Sequence, residues 1–220
     1  MSVQENFESV KKALGERSDQ VRVMAVSKMQ SIDTLREAVQ AGIQLFGVNY
    51  LQEGDAQREA LALEKIEWHF IGHIQSRKAK ALPSYDAVQS LDRVEVGEIL
   101  NRRCEELGKV MPVLVEINIG SEENKSGIFP AQLGDFLASL KTLKALSPRG
   151  IMVMPPPLED LQARRPFFKS AKRLFDKFKG DFPFDTLSMG TSEDYLIAAE
   201  EGATLIRLGT SLLGRRPPRS

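Results

Sequence analysis

Cysteine is nearly absent. The 220 residues contain one, Cys104, so no intrachain disulfide can staple the fold. Histidine is almost as scarce, with two in the chain. His69 and His73 have the H-x-x-x-H spacing of a zinc site on a helix. They flank the end of an apolar run instead, where that spacing does not bring both rings to one face, so no metal is expected. Net charge is missing too. Thirty basic residues balance thirty acidic ones, which leaves no electrostatic footprint for nucleic acid. No apolar stretch approaches the ~20 residues of a membrane span. Met1-Ser2-Val3-Gln4-Glu5-Asn6-Phe7 lacks the basic and apolar regions of a secretory signal. These absences point to a cytoplasmic protein with neither membrane nor nucleic-acid partners. The basic tail from Arg215 to Arg219 is short enough to read as solvated chain.

What is present is alternation. Short apolar runs are followed by longer amphipathic ones along the whole length. Strands are predicted at Val21–Ser27, Leu45–Val48, Trp68–Ile71, Ala87–Ser90, Val113–Ile119, Gly150–Val153, Thr186–Ser188 and Thr204–Leu208. Helices are predicted between them at Ser31–Ala41, Leu51–Leu63, Gln75–Ala81, Arg93–Leu107, Pro130–Leu146, Leu158–Phe178 and Ser192–Glu201, with one more near residues 2–15. Ser31 and Asp33 mark a helix start, and Gly42, Gly108 and Gly202 mark stops. Strict β-then-α alternation implies a parallel sheet. Eight units are the number that closes a (β/α)8 TIM barrel, so the expectation is a single α/β domain over residues 1–220 with an extra N-terminal helix. An open doubly wound sheet is the competitor, but no G-x-G-x-x-G follows the first strand.

In a parallel barrel, sites form where strands end. Lys28 closes the first apolar run, Val21-Arg22-Val23-Met24-Ala25-Val26-Ser27. A lysine there can hold a phosphate, condense with an aldehyde, act as a base, or simply reach water. The segments Ser188-Met189-Gly190-Thr191-Ser192 and Arg207-Leu208-Gly209-Thr210-Ser211 end the seventh and eighth strands. Small residues before helix starts let backbone N–H groups approach an anion, and these two loops are the usual phosphate site of TIM barrels. Gly and Ser are also ordinary turn residues. A lysine opposite a phosphate cradle suggests a phosphorylated aldehyde, and pyridoxal 5′-phosphate (PLP) fits both ends. A lysine amine ordinarily titrates near ~10.4, and a partly buried, nonpolar setting favours the neutral form that condenses with an aldehyde.

Several longer segments then resemble the pyridoxal phosphate homeostasis protein family. They are Ala25-Val26-Ser27-Lys28, Phe46-Gly47-Val48-Asn49-Tyr50-Leu51-Gln52-Glu53, Trp68-His69-Phe70-Ile71-Gly72-His73-Ile74-Gln75-Ser76-Arg77-Lys78, and Glu122-Glu123-Asn124-Lys125-Ser126-Gly127. With the two late loops they occur in the family's order, from about residue 5 to residue 215. The family is similar to the barrel domain of fold-type III enzymes such as alanine racemase, without their C-terminal β-domain. The resemblance implies that Lys28 forms a Schiff base, the internal aldimine, with PLP. It implies that Ser188, Gly209 and Thr210 hold the phosphate, that Asn49 lies near the phenolic oxygen, and that Arg207 faces the ring nitrogen. A guanidinium cannot accept the pyridinium proton, so the ring would be a weaker electron sink. Val48 stands where the family carries Glu, which puts that acid's role in doubt here. Arg77 replaces a common Asn, and Met154-Pro155-Pro156-Pro157 departs from the usual loop.

Other conspicuous residues have plain readings. His69 reads as a core histidine and His73 as a residue of the mouth. Asp92-Arg93 reads as a helix cap and surface pair. Lys169, Lys172, Arg173, Lys177 and Lys179 form the solvated side of an amphipathic helix. The expected function is to hold PLP and supply it to apo-enzymes, as a monomer and without catalytic turnover. The alternative is a PLP-dependent amino-acid racemase. Two-base racemisation needs a second acid/base, and Tyr50, Tyr85 and Tyr195 are not obviously placed for it. A barrel binding some other phosphate ester is a third reading.

Overall fold

The structure, a computed structural model, describes residues 1–215; residues 216–220, most of the basic tail, lie outside the described residues. Helix α1, Val3–Leu14, starts on a reciprocal cap. Ser2 Oγ accepts from Glu5 N at 3.2 Å while Glu5 Oε2 accepts from Ser2 N at 2.7 Å. Its buried residues Val3, Val10 and Leu14 lie along one face, and α1 packs against α8, Thr210–Leu213, and α2, Ile32–Gln40.

Eight strands follow: β1 Arg22–Val26, β2 Leu45–Val48, β3 Glu67–Phe70, β4 Ala87–Leu91, β5 Met111–Ile117, β6 Leu146–Val153, β7 Thr186–Ser188 and β8 Leu205–Leu208. Each pairs in parallel with the next, and β8 pairs with β1 to close the barrel. The remaining helices are α3 Leu51–Ala60, α4 Val94–Glu106, α5 Leu133–Leu140, α6 Arg165–Phe178 and α7 Tyr195–Glu200. This is the expected (β/α)8 barrel with an additional N-terminal helix. The apolar residues of strands and helices form one large core cluster between sheet and helices. Cys104 is buried on α4 within it, and burial pushes its thiol up, as suits an inert packing residue.

Several predicted boundaries moved, three of them in helices that shorten, tighten or split. The helix expected over Pro130–Leu146 stops at Leu140, because the chain is drawn into the sheet sooner. Asn101 Oδ1 accepts from Ala145 N at 2.8 Å, Met111 N donates to Ala145 O at 2.8 Å, and Leu146 already begins β6. The helix expected at Gln75–Ala81 is a 3-10 turn, Ser76–Ser84, which contains Pro83. Leu158–Phe178 splits into a 3-10 turn at Leu161–Arg164, capped by Asp160, and then α6. One pairing depends on glycine. A Cβ on Gly150 would lie 1.8 Å from Thr186 O, so only glycine lets β6 approach β7 this closely.

Candidate binding site at the barrel mouth

The C-terminal ends of the strands surround a cavity of about 590 Å3. Lys28, Asn49, Arg207, Gly209 and Thr210 line it together. Lys28 follows β1, and Asn49 follows β2. Arg207 lies within β8, with Gly209 and Thr210 just beyond it. Glu116 of β5, Met152 of β6, Arg164, Thr191 and Ser192 are among the other residues of its walls.

Lys28 is held from behind by α3. Ser27 Oγ donates to Gln57 Oε1 at 2.7 Å, and Gln57 Nε2 donates back to Ser27 O at 3.1 Å. On the other side of the lysine, Met29 N donates to Glu53 Oε1. Met29 has φ 58°, a left-handed conformation that costs a non-glycine residue roughly 1–2 kcal/mol. The lysine's backbone is thus clamped on both flanks while its half-buried side chain enters the cavity. Its Nζ lies 5.1 Å from the centre of the Tyr50 ring. Tyr50, which the sequence did not obviously place for an acid/base role, is brought beside the lysine because it starts α3 directly after Asn49. Asn49 Oδ1 is buried and has no hydrogen-bond partner among the described residues.

The two late loops meet across the cavity. Ser192 Oγ accepts from Gly209 N at 3.1 Å and from Ser211 N at 3.3 Å, and Ser211 Oγ donates to it at 3.0 Å. Amide groups from the start of α8 therefore converge on one oxygen. Ser192 and Ser211 were not singled out from sequence; their positions, four residues beyond Ser188 and Arg207, were the available signal. Ser188 itself lies lower. It is fully buried and lines no part of the cavity. Asp194 braces this side, accepting from Thr191 N at 2.7 Å and from Arg164 Nη1 at 2.9 Å, a buried ion pair.

Arg207 is 5% exposed. Its Nη1 donates to Ser188 Oγ at 2.6 Å and its Nη2 to Val153 O at 3.0 Å. Burial lowers its guanidinium to about 10, partly offset by the charges of Glu116 and Asp194, so it stays a cation near neutral pH. Glu116 is moved the other way. Burial and the charge of Asp92 raise its carboxyl to about 7, against the pull of Arg207 and Arg93. Sequence reasoning missed Glu116, which stands in the middle of an apolar strand with nothing to mark which face it takes.

Asp92 and Arg93 are only in part a surface pair, since the Arg93 side chain is 40% exposed and the Asp92 side chain is buried. Asp92 is 8% exposed in its side chain, 3.4 Å from Arg93 Nε, and its Oδ2 accepts from Gly127 N at 3.4 Å. Arg93 also donates to Ile74 O, so the pair ties three loops at the mouth. His73 Nδ1 contacts Ser126 Oγ at 3.0 Å in the same region.

A sequence profile of the alanine racemase N-terminal domain matches residues 1–217. The chain belongs to the alanine racemase N-terminal-domain family. Within the family it is 36% identical to the pyridoxal phosphate homeostasis protein of Pasteurella multocida, over 97% of this chain and 94% of that one. It is 36% identical to the protein of the same name in Escherichia coli, over 92% and 88%. The PipY protein of Synechococcus elongatus, solved with PLP bound, superposes with a TM-score of 0.87 at 32% identity, covering 97% of this chain and all of that one. Alanine racemase of Clostridium difficile shares the fold alone, with a TM-score of 0.78 at 14% identity, and this chain covers 60% of its length.

Proposed function

We propose that this protein binds PLP at the barrel mouth through Lys28 and supplies it to apo-enzymes, as a carrier in vitamin B6 homeostasis. One observation carries the reading: a clamped lysine, an unpartnered buried amide oxygen, a buried arginine and a converging set of backbone amides share one cavity. When bound, the cofactor supplies an aldehyde that condenses with an amine and a ring that accepts electrons.

The residues fit such a ligand. Lys28 presents its amine from a backbone that α3 cannot let slide. Gly209 and Thr210 line the cavity, and a phosphate oxygen would take the place of Ser192 Oγ as acceptor for the Gly209 and Ser211 amides. Ser188 supports this side from beneath by fixing Arg207. Asn49, whose Oδ1 has no partner among the described residues, would donate from its Nδ2 to the phenolic oxygen. Arg207 would hold the ring-nitrogen end and, as a cation with donors only, would favour the unprotonated nitrogen. Electron withdrawal by the ring is then restrained, which favours holding the cofactor over carbanion chemistry. Residues 1–220 act as a single, monomeric, cytoplasmic domain in this account, with PLP and apo-enzymes as its partners. No helix among the described residues is long and apolar enough to cross a membrane.

A PLP-dependent racemase-like activity is the second reading, and Tyr50 beside Lys28 is the observation in its favour. The ring face, not the hydroxyl, meets the amine. That reading predicts solvent isotope exchange at Cα of an amino acid, abolished by Tyr50→Phe. The carrier reading predicts no exchange across a broad amino-acid panel in either protein. It also predicts a visible absorption band on adding PLP that is absent in Lys28→Ala; a band of equal strength in the variant would overturn it.

A further inference from the structure

Below the mouth, the barrel interior carries an unbroken line of polar side chains. Arg207 Nη1 donates to Ser188 Oγ at 2.6 Å, and Ser188 Oγ donates to Gln89 Oε1 at 2.7 Å. Gln89 Nε2 meets His69 Nδ1 at 2.8 Å, and His69 Nε2 meets Glu67 Oε1 at 2.6 Å. Gln89 lies on β4 and Ser188 on β7, so their bond crosses the barrel rather than running along its wall. Ser188, Gln89 and His69 are all buried. Glu67 is half-exposed at the opposite end, paired with Arg22, where it and His69 line a separate cavity of about 630 Å3.

Each link fixes the next. The hydrogen bond from His69, with Arg22 nearby, holds the Glu67 carboxyl at about 2 despite its partial burial, so Glu67 only accepts. His69 Nε2 therefore carries a hydrogen, and in the neutral ring Nδ1 is an acceptor. Gln89 must then turn its NH2 to His69 and its carbonyl to Ser188. The Ser188 hydrogen is committed to Gln89, leaving its lone pairs for Arg207. All four bonds run one way, from the mouth to the far end, and such chains strengthen cooperatively. TIM-barrel interiors are ordinarily filled with branched apolar residues, so packing alone does not call for this line.

We propose that Ser188, Gln89, His69 and Glu67 are positioning residues that aim Arg207 at its ligand, and that occupancy of the mouth is transmitted along them to His69. This rests on the PLP reading of the site, and the test separates the two. The chain has two histidines, so ring nitrogen-15 NMR resolves His69. Cofactor-free protein shows His69 as the Nε2–H tautomer. Adding PLP shifts its Nδ1 resonance, because the ligand draws on Arg207 and each bond down the line adjusts. In Gln89→Leu that shift disappears and PLP affinity falls about tenfold, the effect of losing one well-placed hydrogen bond. Glu67→Gln changes a partly exposed residue at the far end and guards against misfolding of the first variant. It loses the single tautomer and also weakens PLP binding, which a residue serving only the far end would not do. Lys28-bound PLP with an unmoved His69 overturns the proposal alone, as do two variants that bind PLP like the parent. No PLP on Lys28 at all overturns the functional reading and this proposal with it.

Discussion

Two ionisable groups in the cavity are displaced in opposite directions, and the sign of each has a consequence. Glu116 titrates near 4.5 when unfolded and about 7 when folded. The folded state holds that proton more tightly. Its contribution to stability is therefore full below about 4.5 and is lost as pH rises toward about 7. Glu116→Gln removes this dependence. In urea titrations the variant gains on the order of 1–3 kcal/mol over the parent at about pH 8 and nothing at about pH 4. Equal gains at both values would show that the carboxyl is not held protonated by its surroundings. Arg207 moves down but stays well within its cationic range, so the site keeps a fixed positive charge while Glu116 titrates beneath it. Lys28, Gly209 and Thr210 were visible in the sequence because strand ends mark the mouth, and Asn49 and Arg207 through the family resemblance. Glu116, Ser192 and Ser211 were not singled out, because their roles depend on which neighbours the closed barrel brings to them.

At the level of elements, the site is made by tight joints between strand ends and the helices that follow. Gly72, after β3, is one. A Cβ there would lie 2.0 Å from the backbone oxygen of Asn49, with no flexible side chain to yield. Gly72→Ala is expected to cost roughly 1–3 kcal/mol by overpacking and to displace Asn49 from the cavity, weakening PLP binding as well. Thermal melts and a binding titration on one preparation test both parts; a loss of stability with binding intact would mean that the loop, not Asn49, takes up the strain. Periodicity was enough to place all eight strands and most helices. It could not place the end of α5, because Asn101 on α4 holds Ala145 at the entry to β6, which shortens the helix before it. Nor could it show that Glu53 and Gln57 reach back to grip Met29 and Ser27, since on an amphipathic pattern they read as one more polar face.

For the whole molecule, ligand and fold stability are linked. A ligand at about a hundredfold over its Kd adds about 2.7 kcal/mol to a protein that binds it only when folded. For a domain of this size that raises the melting midpoint by roughly 5–10 °C. PLP should give this rise, and pyridoxal without its phosphate a smaller one, because the amide cluster around Ser192 then has no anion to hold. Equal shifts from the two ligands would remove the phosphate site from the account. The barrel contributes the rigid frame for this. Strand pairing closes it between β1, which Lys28 follows, and β8, which carries Arg207.

Lys28, and not another of the chain's lysines, is the residue expected to bond to PLP. Loading the protein with PLP, reducing it with borohydride and mapping the modified peptide by mass spectrometry tests this directly. The expected result is one cofactor mass on the peptide containing Lys28, and none in the Lys28→Ala protein at equal PLP. A stoichiometric adduct elsewhere, with Lys28 unmodified, would contradict it.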